Sequence, residues 1–349
     1  MKGRGGVGEG WHPAGARIGI VGLGLIGGSL ARDLAALGAY VLGFDLDPET
    51  LRAATDGGAV HEGLPGGLHG GGLDSSALAS LPLDALVLAV PVQAAIPLLA
   101  AAAPHLEHVS LVMDVGSTKA SIWATAVRLG LGGRFVGSHP MAGSHLSGWE
   151  ASRAGLFQGA RVYLCPVLEV GDGAGNAADG GAGGEAHDEA GNGIGDETGG
   201  ETGEAVVPEA LRRAQGLWTA VGGVPQLMDA VAHDRLLSWT SHLPQAASTA
   251  LARALAGAGI RSGDLGPGGR DMTRLAGSSA SLWTGITLDN ARALAEGLRA
   301  LEAELARLRE WLLAGDRDRV EEFFAKGASW SSSPTPHRTR KERVHRSDP

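Results

Sequence analysis

The sequence predicts an α/β protein: an N-terminal parallel sheet covered by helices on both faces, followed by an all-helical domain. Three observations carry that expectation. Short β-branched or wholly apolar runs alternate with Ala-rich helical segments from Arg17 to Pro166. A glycine motif stands at the first strand-to-helix junction, and from Asp229 onward helical periodicity replaces the strand signal. Alternation of strands with helices builds βαβ units, and strands covered on both faces read as continuous apolar runs.

The elements follow in order. Arg17–Val21 is a β-branched run ending in glycines, Ile26–Leu37 is helical with Gly38 as its stop, and Tyr40–Phe44 is a second strand. Leu86–Val90, Ser110–Asp114 and Phe135–Ser138 are further strands. The nearly unbroken apolar stretch Ala85–Ala103 could be mistaken for a membrane span. Pro91, Gln93 and Pro97 interrupt it, so it reads as a buried strand followed by a helix. Pro208–Val221 is a helix and Val224–Met228 a last strand. Leu294, Leu298, Leu301, Leu305, Leu308 and Leu312 then step by four and three, an apolar stripe with Gly315 as cap. Such a stripe is equally a core helix or a subunit interface.

Gly22-Leu23-Gly24-Leu25-Ile26-Gly27 is G-x-G-x-x-G, directly after a strand and opening a helix, as dinucleotide binding requires. This makes the sheet Rossmann-type. Gly22 allows the tight turn, Gly24 lets the backbone approach a pyrophosphate, and Gly27 permits close helix–strand packing. Leu25 and Ile26 in the motif, and Val90 and Pro91 at a later strand end, complete the expected cofactor contacts. Asp45 closes the second strand, where a carboxylate can accept both ribose hydroxyls and repel a 2′-phosphate. The expected cofactor is therefore NAD.

Ligands of open α/β sheets bind outside the carboxyl ends of the strands. One strand ends in Asp114-Val115-Gly116-Ser117-Thr118-Lys119, the next in Gly137-Ser138-His139-Pro140-Met141-Ala142-Gly143. Ser117 and His139 thus project toward one crevice, where a histidine can deprotonate a carbinol hydroxyl while hydride leaves its carbon. Further on, Asp271 and Arg274 lie three apart on a helix. They are either a structural ion pair or a carboxylate-binding arginine with an orienting aspartate. The histidine spacings give no metal site: there is no H-E-x-x-H and no cysteine cluster. His233 and His242 are nine apart, on different faces of a long helix.

Charge and composition bound the partners. Nine acids and no Lys or Arg fall in residues 171–205, which accounts for the whole net charge of −9 and leaves a neutral body. A neutral body gives no reason to expect nucleic-acid binding. The expected organisation is a disordered N-terminus 1–15, a Rossmann domain 16–168 and an acidic Gly-rich disordered insertion 169–207. The end of the Rossmann domain at 208–228, a helical domain 229–330 and a disordered basic tail 331–349 follow. The insertion reads as a tolerated loop. One cysteine, Cys165, and no signal pattern point to the cytoplasm, and no membrane association is expected.

Taken together, Asp114–Lys119, Gly137–Gly143, His233–Gln245 (HDRLLSWTSHLPQ) and Gly269–Trp283 (GRDMTRLAGSSASLW) resemble prephenate dehydrogenase, with arogenate dehydrogenase as its close relative. The resemblance runs from about Arg17 to Phe324, apart from the insertion. It implies NAD-dependent oxidative decarboxylation of prephenate to 4-hydroxyphenylpyruvate in tyrosine biosynthesis, and a helical domain that forms a homodimer. It also implies that Ser117 and His139 contact the ring hydroxyl, that Arg274 binds substrate carboxylate and that Trp283 lines the pocket. His242 matches the His of S-H-L-P, a supporting position. Gln245 stands where many members have a second histidine, and His145 where some carry Glu; both lie near the substrate side chain in the family. A β-hydroxyacid dehydrogenase would use a lysine of its helical domain, and no Lys lies between 120 and 325.

Overall fold

A computed structural model describes residues 11–66, 72–143, 146–167 and 208–332. The expectations for residues 1–10, the acidic insertion, the tail beyond Ser332 and His145 fall outside the described residues. β1 (Arg17–Val21), α1 (Leu25–Ala36), β2 (Tyr40–Phe44), α2 (Pro48–Asp56) and the short β3 (Glu62–Gly63) open the chain. β4 (Ala85–Leu88), α3 (Val92–Ala102), β5 (Leu111–Asp114), α4 (Ala120–Arg128) and β6 (Phe135–Pro140) follow, then β7 (Arg161–Pro166), α5 (Glu209–Ala220) and β8 (Val224–Leu227). The sheet order is β3-β2-β1-β4-β5-β6-β7-β8. The order reverses between β1 and β4, which opens a crevice at the carboxyl ends of those strands.

Successive residues of each strand feed opposite faces. Ile18, Ile20, Val87, Leu111 and Met113 pack with α1 and α5 in one core, and Val21, Leu86, Leu88 and Val112 with α3 and α4 in the other. Each buried Leu, Ile or Val contributes about 1.5–3 kcal/mol of transfer free energy. That double burial is the reason these strands carry no polar alternation. One pairing departs from the parallel expectation: β6 and β7 run antiparallel, with His139 opposite Tyr163. Between them the described residues form only a three-residue 3-10 turn, and a parallel return is normally made by a crossover helix.

The N-terminal boundary expected at residue 16 falls too late. Trp11 packs against the core, its carbonyl lies where a Cβ on Gly216 of α5 would stand, and Arg213 sits over its ring. Residues 11–15 therefore belong to the folded body.

After β8 come α6 (Ala230–Leu237), one π-helical turn (Ser238–His242), α7 (Leu243–Gly257), α8 (Pro267–Thr273), α9 (Ala280–Asp289), α10 (Ala291–Ala314) and α11 (Arg317–Ser331). The chain divides into compact units Met1–Ala291 and Arg292–Pro349, so the stretch 229–330 is shared between them. α6 groups with the sheet because its Asp234 carboxylate accepts the Lys119 and Ala120 N–H groups at the start of α4, each at 2.8 Å. In the second unit Gly315, at φ +68°, ends α10, and Trp311 meets Phe323 edge-on at 6.5 Å. Its leucine stripe is not a closed core: Leu305 is 56% and Leu312 59% exposed. Among the described residues no helix is long and apolar enough to cross a membrane.

Candidate active site

The glycine motif forms a cradle at the β1/β4 crevice. Gly22 has φ +93°, and a Cβ there would stand 2.5 Å from the Ala89 carbonyl oxygen. A Cβ on Gly27 would stand 1.9 Å from the Gly22 oxygen, so no other residue fits without moving the helix off the strand. Gly24 is different: a Cβ there meets no protein atom within 4 Å. Its backbone faces open space at the N-terminus of α1, which no side chain caps. Unfilled N–H groups and bare backbone at a helix N-terminus fit a pyrophosphate. Leu25 and Ile26 are half-buried in the first turn of α1, Val90 packs beside Gly22, and Pro91 is the N-cap of α3. Asp45 accepts the Leu23 N–H at 2.8 Å and the Asp47 N–H at 3.0 Å. One bond per oxygen holds the carboxylate at the edge of the cradle with lone pairs left for two hydroxyls.

Two strands along, β5 and β6 lie side by side with Asp114 level with Gly137. Asp114 and Lys119 form a fully buried ion pair that closes the Gly116–Thr118 loop, and Gly116 N–H donates to the same carboxylate at 2.9 Å. The Lys119 ammonium is thus spent on structure. The Ser117 hydroxyl, at the top of this loop, has no hydrogen-bond partner among the described residues.

His139 lies beyond the level of Asp114 on the next strand, at the same carboxyl edge. Its Nδ1 is 2.9 Å from His233 Nε2, and His233 Nδ1 is 2.8 Å from Asp234 Oδ1. Its Nε2 has no protein partner among the described residues. Burial first, then the neighbouring His233, Lys119 and His242, hold the His139 pKa well below the usual histidine value. The ring is therefore neutral at physiological pH, the form in which it can take a proton.

His233 and Asp234 carry no site role in the sequence reading, although Asp234 offered a signal: a carboxylate amid a helix's apolar residues is rarely buried unless paired. His233 is fully buried and Asp234 nearly so. His233 and His242 also do not diverge as a regular helix would require. The π turn at Ser238–His242 holds an extra residue and rotates the helical segment after it. Asn290 then ties Asp234 to His242: its amide donates to the Asp234 carbonyl at 2.7 Å and to His242 Nδ1 at 3.2 Å. This places the hydrogen of neutral His242 on Nε2, which is buried without a partner among the described residues. Burial pushes the His242 pKa down to about 4, with Asp234 opposing and His233 adding to the fall.

The remaining expected residues separate into two groups. Trp283, half-buried on α9, meets His242 edge-on at 6.0 Å. Arg274 begins the 3-10 turn after α8, exposed and without an ion-pair partner among the described residues. Asp271 does not orient it: α8 ends at Thr273, the change to 3-10 geometry breaks the shared face, and no bond joins the two. Gln245, expected as a substrate contact, is buried with both amide atoms used. Nε2 donates to the Leu275 carbonyl at 2.8 Å, and Oε1 accepts the Ser278 hydroxyl at 3.4 Å. It braces the Arg274 turn instead of facing the crevice.

Residues 30–174 match the sequence model described as the prephenate dehydrogenase nucleotide-binding domain, and residues 229–326 the one described as its dimerization domain. The chain is 31% identical to cyclohexadienyl dehydrogenase of Zymomonas mobilis, over 88% of this chain and 92% of that protein. It is 26% identical to prephenate dehydrogenase of Bacillus subtilis, over 87% and 72%. Among solved structures it is similar to Aquifex aeolicus prephenate dehydrogenase in complex with hydroxyphenyl propionate and NAD+, with a TM-score of 0.69 and 25% identity, covering 90% and 97%. It is also similar to Synechocystis arogenate dehydrogenase, with a TM-score of 0.65 and 28% identity, covering 90% and 98%.

Proposed function

Because the chain belongs to the prephenate dehydrogenase family, we propose that it oxidises prephenate with NAD+, giving 4-hydroxyphenylpyruvate and CO2, as a cytoplasmic homodimer. The observation that carries this reading is the His139 imidazole: neutral, at the carboxyl edge of the sheet, with Nε2 free of partners among the described residues. Bound NAD+ supplies the hydride acceptor. Gly22, Gly24, Leu25, Ile26 and Gly27 bind its pyrophosphate, Asp45 its ribose hydroxyls, and Val90 and Pro91 the wall beside it.

Prephenate is a cyclohexadienol with a carboxylate on the ring carbon opposite the carbinol. His139 Nε2 accepts the carbinol proton as hydride leaves that carbon, and Ser117 orients the same oxygen. The electron pair of the breaking C–CO2 bond enters the ring. The aromatic product makes the step effectively irreversible. The guanidinium of Arg274, without an ion-pair partner among the described residues, receives a substrate carboxylate, a charge-assisted contact for which its planar fork is suited. Trp283 lines the pocket, and the buried His242 ring packs behind it. The exposed stripe of α10 and the matched dimerization-domain model support pairing of two copies through the helical region.

NADH formation followed by absorbance, with NAD+ and either prephenate or arogenate, tests the proposal. Faster turnover of prephenate is expected. Preference for arogenate would keep the chemistry and change the substrate's side chain from keto acid to amino acid. Turnover of neither would overturn the assignment.

A further inference from the structure

Asp234 makes three contacts that point the same way. Its Oδ1 accepts the Lys119 N–H and faces His233 Nδ1, and its Oδ2 accepts the Ala120 N–H, all at 2.8 Å. With both oxygens already accepting from the start of α4, the carboxylate is an acceptor toward His233 as well. His233 therefore carries its hydrogen on Nδ1. In its neutral form His233 then presents a lone pair at Nε2. The facing atom, His139 Nδ1 at 2.9 Å, must supply the hydrogen of that bond. The lone pair of His139 is left on Nε2, the atom without a partner among the described residues.

We propose that Asp234, acting through His233, fixes the tautomer of His139 so that Nε2 is the proton acceptor, and that it offsets the charge His139 gains on accepting the proton. His233 and Asp234 are positioning residues, since neither touches the substrate. The logic is that of a carboxylate that orients a catalytic imidazole and stabilises its cation without itself being protonated, here relayed through a second imidazole. The same carboxylate caps α4, whose start adjoins the Ser117 loop. One group thus fixes both the proton acceptor and the segment bearing its neighbour. The inference rests on the proposed role of His139 and adds to it.

The test uses the full-length protein labelled with ¹⁵N-histidine, with the His139 ring signals assigned by difference from His139→Asn. Wild-type His139 is expected to show a protonated Nδ1 and an unprotonated Nε2. Asp234→Asn keeps an oxygen acceptor for only one of the two α4 N–H groups and removes the charge that holds the His233 hydrogen on Nδ1, so the tautomer of His139 is no longer fixed. Turnover should fall ~10²–10⁴-fold, as for a lost general base, with the KM for prephenate and the Kd for NADH within about threefold, below the 1 kcal/mol of one ordinary hydrogen bond.

His233→Leu keeps the cap on α4 and removes only the relay. It should lower kcat in the same direction and leave His139 a mixture of tautomers, and it serves if Asp234→Asn does not fold. A cap alone would lower the melting temperature without changing the ring pattern. Wild-type His139 protonated at Nε2, or full kcat in either folded variant, overturns the relay. The ring pattern needs no substrate, so it stands or falls separately from a failure to turn over prephenate.

Discussion

Gln245 Nε2 donates to the Leu275 carbonyl at 2.8 Å, which fastens α7 to the turn that carries Arg274. The consequence is a testable division of labour. Gln245→Leu leaves a carbonyl and the Ser278 hydroxyl without a buried partner, at a cost of about 1–3 kcal/mol. The turn loosens, so the KM for prephenate should rise several-fold while the KM for NAD+ holds. A variant with unchanged substrate KM and lowered thermal stability would make Gln245 structural only.

Arg274 itself is the larger lever. Truncation to Ala removes the guanidinium and leaves the substrate carboxylate facing solvent. A charge-assisted hydrogen bond contributes about 1.5–3 kcal/mol, so KM should rise ~10–100-fold. Little change in kcat is expected, because the contact is made equally in ground and transition states. Steady-state kinetics over a range of prephenate concentrations decide it, and an unaltered KM would remove Arg274 from the substrate site.

His139→Asn should behave in the opposite way. The proton acceptor is lost while the shape of the pocket is kept, so kcat falls ~10²–10⁴-fold with little change in KM. Full activity in this variant would refute the assigned role.

These pairs show what the sequence made legible. Residues at strand ends could be placed because a parallel strand has one carboxyl edge, and Ser117, His139 and the glycine cradle all lie there. Positions that depend on how helices pack were out of reach. The spacing of His233 and His242 suggested opposite faces, and only the π turn rotates them toward Asp234 and Asn290. Asp271 and Arg274 share a face only while the helix stays regular, and it becomes 3-10 between them. β7 is not legible as a strand in the sequence, where Pro166 reads as the end of a region and not of a strand. Its antiparallel pairing goes with a connection that holds no crossover helix among the described residues.

Asp45 sets the cofactor preference. Its two oxygens are held by the Leu23 and Asp47 N–H groups, so the carboxylate cannot swing away from a 2′-phosphate. kcat/KM should favour NAD+ over NADP+ by at least ~10-fold, the equivalent of about 1.4 kcal/mol. Asp45→Asn should narrow the ratio. Equal efficiency with both cofactors in the wild type would sink the assignment.

The pH dependence has a definite sign. Burial lowers the pKa of both His139 and His242 relative to the unfolded chain, the latter to about 4. Above the unfolded value near 6.5 both states are neutral, and these groups place no proton-linked load on the fold. As pH falls below that value the unfolded chain takes up protons that the folded chain refuses, so stability declines toward about pH 4. Asp234 and His233 face His242, and His233, Lys119 and His242 face His139. His242→Gln should flatten part of that decline in urea unfolding measured at successive pH values. An unchanged slope would show that His242 is not buried neutral. Activity follows the same direction for a different reason: His139 must be neutral to accept a proton. The acid limb of kcat/KM should therefore lie well below the usual histidine range, with activity lost only as pH falls through the lowered value. An acid limb at or above pH ~6.5 would mean that His139 is more solvated, or closer to a carboxylate, than this arrangement places it.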